Sequence, residues 1–315
     1  MATHESSRVV TTALIGNALV ATTKFAAALI TGSSAMMSEA VHTVADTGNE
    51  LLLLYGLRRA ARPPDADHPF GHGRELYFWS FVVALLVFAL GAGVSIYQGL
   101  SHLRHPVAIK DPAVNYAVLS LALLFEGGSW WVAFVAFRAA KGGLGYFEAV
   151  RKSKDPTTFT VLAEDTGAIL GILIAFAGTF AAEVLHRPLL DGAASIAIGV
   201  LLGLIALVLA RETKGLLIGE PARSELVSSI CRMAREHAGV ERSNGLFTVH
   251  LGPRQVLAAL SVEFHDTLTV SQVESIVADL EDQVRTLHPE VVSVLVKPQK
   301  SEGADFRLPP GEDEG

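Results

Sequence analysis

The chain has 315 residues, of which 50% are hydrophobic and 18% are charged, whereas about a quarter are charged in an average soluble protein. This composition favours a membrane protein, and the net charge of -7 gives no indication of a nucleic-acid partner. Because Cys231 is the single cysteine, an intramolecular disulfide and a metal site built from cysteines are both excluded.

Six apolar stretches are long enough to cross a bilayer as helices, which requires about 20 residues each. They are residues 9–31, 36–58, 76–100, 114–137, 158–182 and 189–210. The polar start, MATHESSR, does not resemble a cleaved signal peptide. Arginine and lysine are concentrated in the loops after the second and fourth stretches. By the positive-inside rule, both termini face the cytoplasm, and we expect a multi-pass protein of a bacterial plasma membrane.

Beyond Arg211 the pattern changes to that of a small soluble domain. A helix at residues 224–238 is followed by the strands LFTVHL and VLAALSVEFH, a helix at 269–288 and the strand VVSVLVKP. This order suits a sheet with helices on one face. We predict a polar tail (1–8), an all-α domain of six transmembrane helices (9–211), a cytoplasmic α+β domain (212–300) and a disordered acidic tail (301–315).

The second stretch contains ionisable residues at membrane depth, in the segment SEAVHTVADTGNE. His42 and Asp46 are four residues apart, so a helix places both on one face, where an imidazole and a carboxylate suit a divalent cation such as zinc. The alternative is a polar pair that bonds to a neighbouring helix. Asn49 continues this face weakly, whereas Glu39 and Glu50 receive no assignment.

The fifth stretch supplies two adjacent carboxylates, Glu164 and Asp165, in an apolar background. Adjacent helical residues diverge by about 100°, so both face one point only if the helix distorts, which Gly167 would permit. One of them beside His42 and Asp46 would give three ligands, and both would give four. Alternatively, one is protonated and bonds to a helix backbone. Glu126, in the fourth stretch, is either a proton-relay group or a packing residue.

The loop between the second and third stretches contains the sequence DADHPFGHGRE. His68 and His72, together with Asp65 or Asp67, offer metal-ligand chemistry in a turn-rich segment. The alternative is a solvated polar loop with a structural turn.

These features together resemble the cation diffusion facilitator family of divalent-metal transporters. The resemblance rests on HTVAD, DHPFGHGRE, an intramembrane aspartate in the fifth helix, LLDGAASIAIG and the small α+β domain, and it extends from about Val9 to Pro298. It implies a transport site at His42, Asp46 and Asp165. It also implies a loop site at Asp65, His68 and His72.

The chain departs from the family pattern in two places. Where the family commonly has His or Asp four residues before the fifth-helix aspartate, this chain has Val161, and Glu164 is the expected substitute. The last strand ends VLVKP, without a metal ligand, so no binuclear zinc site is expected in the soluble domain. The resemblance implies that this domain has a metallochaperone-like (ferredoxin-like) fold and mediates dimerisation.

The resulting hypothesis is a homodimeric, secondary-active exporter that exchanges a divalent cation for protons across the lipid bilayer. Metal ligands must be deprotonated, so a metal ion and protons compete for the same buried ligand atoms, and this competition couples the binding of one to the release of the other. Zinc is the expected cargo, with iron, manganese, cobalt or nickel as alternatives, and no resident cofactor is predicted. Two other hypotheses use the same ligands: an intramembrane metalloenzyme and a membrane-anchored metal sensor.

Overall fold

The computed structural model describes residues 2–143 and 145–300. The chain divides into two compact units. One comprises residues 1–58 and 76–214, and the other comprises residues 59–75 and 215–315. Residues 2–8 of the predicted polar tail fall within the first helix. Residue 1 and the predicted disordered tail, residues 301–315, lie outside the described part of the chain.

The first unit is built from long helices. They are α1 (Ala2–Thr31), α2 (Ser34–Ala60), α3 (Arg74–Leu86), α4 (Gly93–Arg104), α5 (Pro112–Lys141), α6 (Tyr146–Lys152), α7 (Pro156–Val184) and α8 (Leu189–Ile218), with α3 joined to α4 by a π-helical segment, Val87–Ala92. Asp155 caps the start of helix α7, because its carboxylate accepts a hydrogen bond of 3.0 Å from the Thr157 N–H. Pro156, the next residue, takes the first helical position.

Within the described residues, four helical segments are long and apolar enough to cross a membrane: Arg74–Arg104, Pro112–Ala139, Phe159–Val184 and Leu189–Ile218. Helix α1 contributes a shorter apolar segment, Asn17–Thr31. Large apolar side chains are exposed on these helices, among them Leu124, Val132 and Leu204. Such an extensive apolar surface is typical of helices that contact lipid.

Small residues allow α8 to approach α4 and the π-helical segment closely. A Cβ atom on Gly99 would lie 2.7 Å from the Gly192 carbonyl oxygen, and one on Gly199 would lie 3.0 Å from the Ala92 carbonyl oxygen. Glycine is therefore required at both positions. The motif LLDGAASIAIG thus serves close helix packing, which in membranes depends on small residues.

The second unit contains the soluble domain, with α9 (Ser224–Glu236), β1 (Val240–Gly252), β2 (Gln255–Phe264), α10 (Val270–Leu287) and β3 (Val291–Pro298). The order helix, strand, strand, helix, strand agrees with the prediction. Strand β2 lies in the middle, antiparallel to β1 and parallel to β3. Both helices share one hydrophobic core with the sheet, which includes Ile230 and Leu280.

Strand β1 is longer than the predicted LFTVHL and begins at Val240. Its polar start, ERSNG, pairs with β2 through two register shifts, between Val240 and Arg242 and between Ser243 and Gly245. These irregularities interrupt the alternation of apolar and polar residues from which a strand is recognised in a sequence. Helix α10 begins with a capping box formed by Thr269 and Gln272, close to the predicted start.

The basic loop, residues 59–75, packs within the second unit. A Cβ atom on Gly73 would collide with the Leu251 carbonyl oxygen and with Gln255 Oε1 at the turn between β1 and β2. The last glycine of HPFGHGRE is therefore needed for the loop to contact this turn. Near the ends of the loop, the Arg59 guanidinium donates to Glu75 Oε1 at 2.7 Å.

Candidate metal centre

His42 and Asp46 lie together on one face of α2, as their spacing predicts. His42 Nδ1 is 3.3 Å from Asp46 Oδ1, and the imidazole is buried. In the described part of the chain, neither ring nitrogen of His42 nor Asp46 Oδ1 has a hydrogen-bond partner. Buried polar atoms are nearly always hydrogen-bonded, so unpaired nitrogen and oxygen atoms at one point suit a metal ligand pair.

The two carboxylates of α7 point to different neighbours. Glu164 is buried, and its Oε1 accepts a hydrogen bond of 2.8 Å from Asn49 Nδ2 in α2. Asp165 is half-buried, and its Oδ2 accepts a hydrogen bond of 3.1 Å from Ser129 Oγ in α5. Helix α7 continues without a break through Gly167, so the divergence of adjacent helical residues is preserved.

The contact between Asn49 and Glu164 joins α2 to α7, the two helices that carry the four predicted ligands. Glu164, Glu126 and Asp165 all act electrostatically on Asp46. The four predicted ligands do not, however, form a closed set. Among the residues that the structure describes, three ligand atoms come within 4.8 Å of one another only in the loop cluster described below.

The other carboxylates of α2 have partners in α1 that the sequence did not indicate. Glu39 Oε2 lies 3.3 Å from the Nζ atom of Lys24, which is also 3.9 Å from Glu126 Oε1. Both carboxylate oxygens of Glu50 accept hydrogen bonds of 3.2 Å from Asn17 Nδ2. Lys24 interrupts an apolar run, which marks it as unusual, but nothing in the sequence names its partner.

Asp191, in the first turn of α8, fixes the start of α2, the helix that carries His42 and Asp46. Its carboxylate is fully buried and accepts hydrogen bonds from Ser33 Oγ at 2.7 Å, the Ser34 N–H at 2.6 Å and the Ala35 N–H at 3.3 Å. A carboxylate at a helix N-terminus satisfies backbone donors and is stabilised by the helix dipole. Asp191 therefore positions α2 rather than binding the metal.

A second cluster is formed by the loop residues Asp65, His68 and His72. One ligand atom from each lies within 4.8 Å of the others. His72 Nε2 is 2.9 Å from Asp65 Oδ2, and His68 Nδ1 is 3.2 Å from Asp65 Oδ1. Of the two aspartates that the sequence offered, the structure places Asp65 in the cluster. His72 is buried, whereas Asp65 and His68 are exposed.

The loop backbone orients Asp65 as an acceptor. Its Oδ1 accepts from the Asp67 N–H at 3.0 Å and from the His68 N–H at 2.7 Å, which is a turn closed by a side chain. Gly71 has a φ of 82°, a conformation that favours glycine. The hydrogen bond with the His72 ring, followed by that from the His68 N–H, lowers the pKa of Asp65 to about 2. The carboxylate is thus ionised, as a metal ligand must be.

Comparison with known proteins identifies relatives of the chain. The sequence profile described as the cation efflux transmembrane domain matches residues 10–218, more than half of the chain. The chain is 32% identical over 269 residues to Metal tolerance protein C4 of Arabidopsis thaliana, a match that covers 85% of this chain and 59% of the plant protein.

Two further relatives carry names that state a transport activity. Proton-coupled zinc antiporter SLC30A9, mitochondrial, of Homo sapiens is 32% identical over 259 residues, which cover 82% of this chain and 46% of the human protein. Manganese efflux system protein MneP of Bacillus subtilis is 24% identical over 302 residues, which cover 92% of this chain and 95% of that protein. The chain therefore spans about half the length of the plant and human relatives.

Proposed function

Because this chain belongs to the cation efflux, or cation diffusion facilitator, family of membrane transporters, we propose that it exports a divalent metal cation in exchange for protons. It is a transporter and not an enzyme, and the names of its zinc antiporter and manganese efflux relatives also describe transporters. The transport site lies between α2 and α7, with His42, Asp46, Glu164 and Asp165 as its ligands.

The observation that carries the proposal is the contact between Asn49 and Glu164. It brings a carboxylate of α7 to the face of α2 on which His42 and Asp46 have unpaired polar atoms. Nitrogen and carboxylate ligands bind zinc, manganese, iron or cobalt, and they bind metal only when deprotonated. A metal ion and protons therefore compete for the same atoms, which is what an exchange of the two requires.

Zinc is the first candidate cargo, because an imidazole ligand suits zinc and the human relative is named as a zinc antiporter. Manganese is the second, because carboxylates outnumber imidazoles among the proposed ligands and the Bacillus relative is named as a manganese efflux protein. A panel of both metals in one flux assay distinguishes them.

We further propose that α1 and α2 complete a set of six membrane spans with both termini on the cytoplasmic side of a bacterial plasma membrane. Helices α1 and α2 contain 30 and 27 residues, so each is long enough to cross the bilayer. The cluster of arginines around the loop at residues 59–75 supports this orientation.

A homodimer through the soluble domain fits the exposed face of its sheet. Phe247, Ala259 and Leu295 are aligned across the three strands, and Phe247 and Leu295 are each 52% exposed. Exposed apolar side chains on a sheet face are typical of a surface that pairs with another copy.

The test is metal-driven proton flux in proteoliposomes that contain the purified full chain. We expect Asp46→Ala and Asp165→Ala to abolish the flux while the protein remains folded. Tyr116→Phe is the matched control, because it breaks an α5–α7 hydrogen bond of 2.6 Å to Glu183 without altering a proposed ligand. Undiminished transport in both alanine variants would refute the proposed site. Capture of a metal-dependent protein partner without any flux would support the sensor hypothesis instead.

A further inference from the structure

A lysine lies inside the helix bundle next to the proposed transport site. Lys24 of α1 is 0% exposed, and its Nζ lies 2.8 Å from Thr43 Oγ1 and 3.3 Å from Glu39 Oε2, both in α2. Glu126 Oε1 in α5 is 3.9 Å away. An ammonium group at membrane depth is costly even when it is paired, so its presence there indicates a role.

The charge of Lys24 reaches the proposed metal ligands. It acts electrostatically on both His42 and Asp46. Thr43, which accepts its shortest hydrogen bond, is adjacent to His42 in the chain. Because the interior of a helix bundle is a low-dielectric medium, a fixed charge there is weakly screened and strongly affects a dication nearby.

We infer that Lys24 is a built-in counter-cation that limits the affinity of the transport site for its metal and thereby promotes metal release. This inference rests on the proposed function, since it concerns the same site. Three carboxylates, Asp46, Glu164 and Asp165, would hold a dication tightly. Transport requires binding that is strong enough for entry but weak enough for exit. Repulsion from Lys24 weakens the binding enough for the metal to leave. Glu39 partly neutralises the charge of Lys24 and so limits this repulsion.

This role predicts effects of opposite sign for the two members of the ion pair. Removal of the Lys24 charge should tighten metal binding, because the repulsion is lost. Glu39→Gln should weaken metal binding, because the ammonium group is then less neutralised. If Lys24 and Glu39 only hold α1 against α2, either substitution breaks the same contact, and both variants should change the affinity in the same direction.

The experiment measures Zn²⁺ and Mn²⁺ binding by equilibrium dialysis of the purified full chain. All proteins carry His68→Ala and His72→Ala, so that the loop cluster does not contribute. We expect Lys24→Gln to bind metal on the order of tenfold more tightly, which is the factor that one nearby charge commonly gives for a single ionisation. In proteoliposomes, KM and the maximal rate should both fall, because release becomes slow.

Two variants control for structure. Lys24→Arg keeps the charge and should bind metal with wild-type affinity. Thr43→Val removes the shortest hydrogen bond of Lys24 but no charge, and it should leave the affinity nearly unchanged. Lys24→Gln removes the charge but retains a donor for Glu39 and Thr43, so it is the decisive variant.

The outcomes separate this inference from the proposed function. Suppose that the parent protein binds and transports metal. The role of Lys24 alone would then be overturned if Lys24→Gln did not bind metal more tightly, or if Lys24→Gln and Glu39→Gln both bound it more weakly. A parent protein that neither binds nor transports Zn²⁺ or Mn²⁺ would overturn the transport site, and the inference with it.

Discussion

Asn49 Nδ2 in α2 donates a hydrogen bond of 2.8 Å to Glu164 Oε1 in α7. Because Asn49 lies one turn beyond Asp46, this contact turns Glu164 towards the proposed ligands of α2, whereas Asp165 is held by Ser129 of α5. The two neighbouring carboxylates are therefore not equivalent, and their substitutions should have unequal effects.

We predict that Glu164→Gln weakens metal binding more than Asp165→Asn does. Loss of Glu164, which faces the proposed ligands of α2, should reduce affinity by more than about a hundredfold, and loss of Asp165, which Ser129 holds towards α5, should reduce it less. Loss of a group that only orients a ligand typically costs about ten- to a hundredfold. Asn49→Ala, which removes an orienting group, should fall in the second range. Dissociation constants from equilibrium dialysis test this order. Equal losses would mean that the two carboxylates contribute equally to metal binding, and either this result or the reverse order would refute the prediction.

The loop cluster should bind a second metal ion. We predict two bound Zn²⁺ ions per chain in the parent protein and one in the His68→Ala/His72→Ala variant. Asp67→Asn is the matched control, because Asp67 lies beside the cluster without belonging to it. The stoichiometry can be measured by metal analysis after gel filtration. A ratio that does not change in the double alanine variant would show that the loop is a structural turn only.

Asp191→Ala should destabilise the protein, because it leaves buried donors at the start of α2 without an acceptor. Hydrogen bonds to a charged group contribute more than neutral ones, and we expect a loss of about 3 kcal/mol in the free energy of unfolding. Ser33→Ala removes one of these bonds and should cost about 1 kcal/mol. Thermal unfolding in detergent provides the comparison. An unchanged midpoint for Asp191→Ala would exclude this capping role.

Cys231 should react slowly with N-ethylmaleimide in the folded protein. Burial raises the pKa of its thiol. The neutral thiol is therefore favoured in the folded state. The associated contribution to stability is complete below the thiol pKa of the unfolded chain and is lost as the pH rises through the higher pKa of the folded state. Mass spectrometry over a series of pH values should show alkylation starting at higher pH than in detergent-unfolded protein. Identical profiles would contradict the burial of this thiol.

The sequence predicted those parts of the structure that depend on local pattern. Each helix and strand of the soluble domain buries one face, so its apolar residues recur with the period of that element. This periodicity predicts the order α9, β1, β2, α10 and β3. The pairing of His42 with Asp46 follows from helical spacing alone. The loop cluster was also identified, because His68 and His72 lie within a few residues of Asp65 and need only a turn to meet.

Features that depend on contacts between distant segments were not predicted. Lys24 and Glu39 belong to different helices, and no spacing rule connects them. Asp191 lies in a motif that was recognised, yet its role as the cap of α2 becomes visible only when α8 is placed beside α2. The π-helical segment Val87–Ala92 likewise carries no pattern that distinguishes it from the α-helix on either side.

The cap formed by Asp191 also restricts how the site can open. If α2 moved away from α8 at this end, a buried carboxylate and two backbone donors, the N–H groups of Ser34 and Ala35, would lose their partners at once. Helices α2 and α8 are therefore expected to rock as one rigid body, whereas in the part of the chain that the structure describes the side-chain hydrogen bond between α2 and α7 is the one from Asn49 to Glu164. The alternation between inward and outward access should then follow the seam between α2 and α7, with the proposed metal ligands on its two sides.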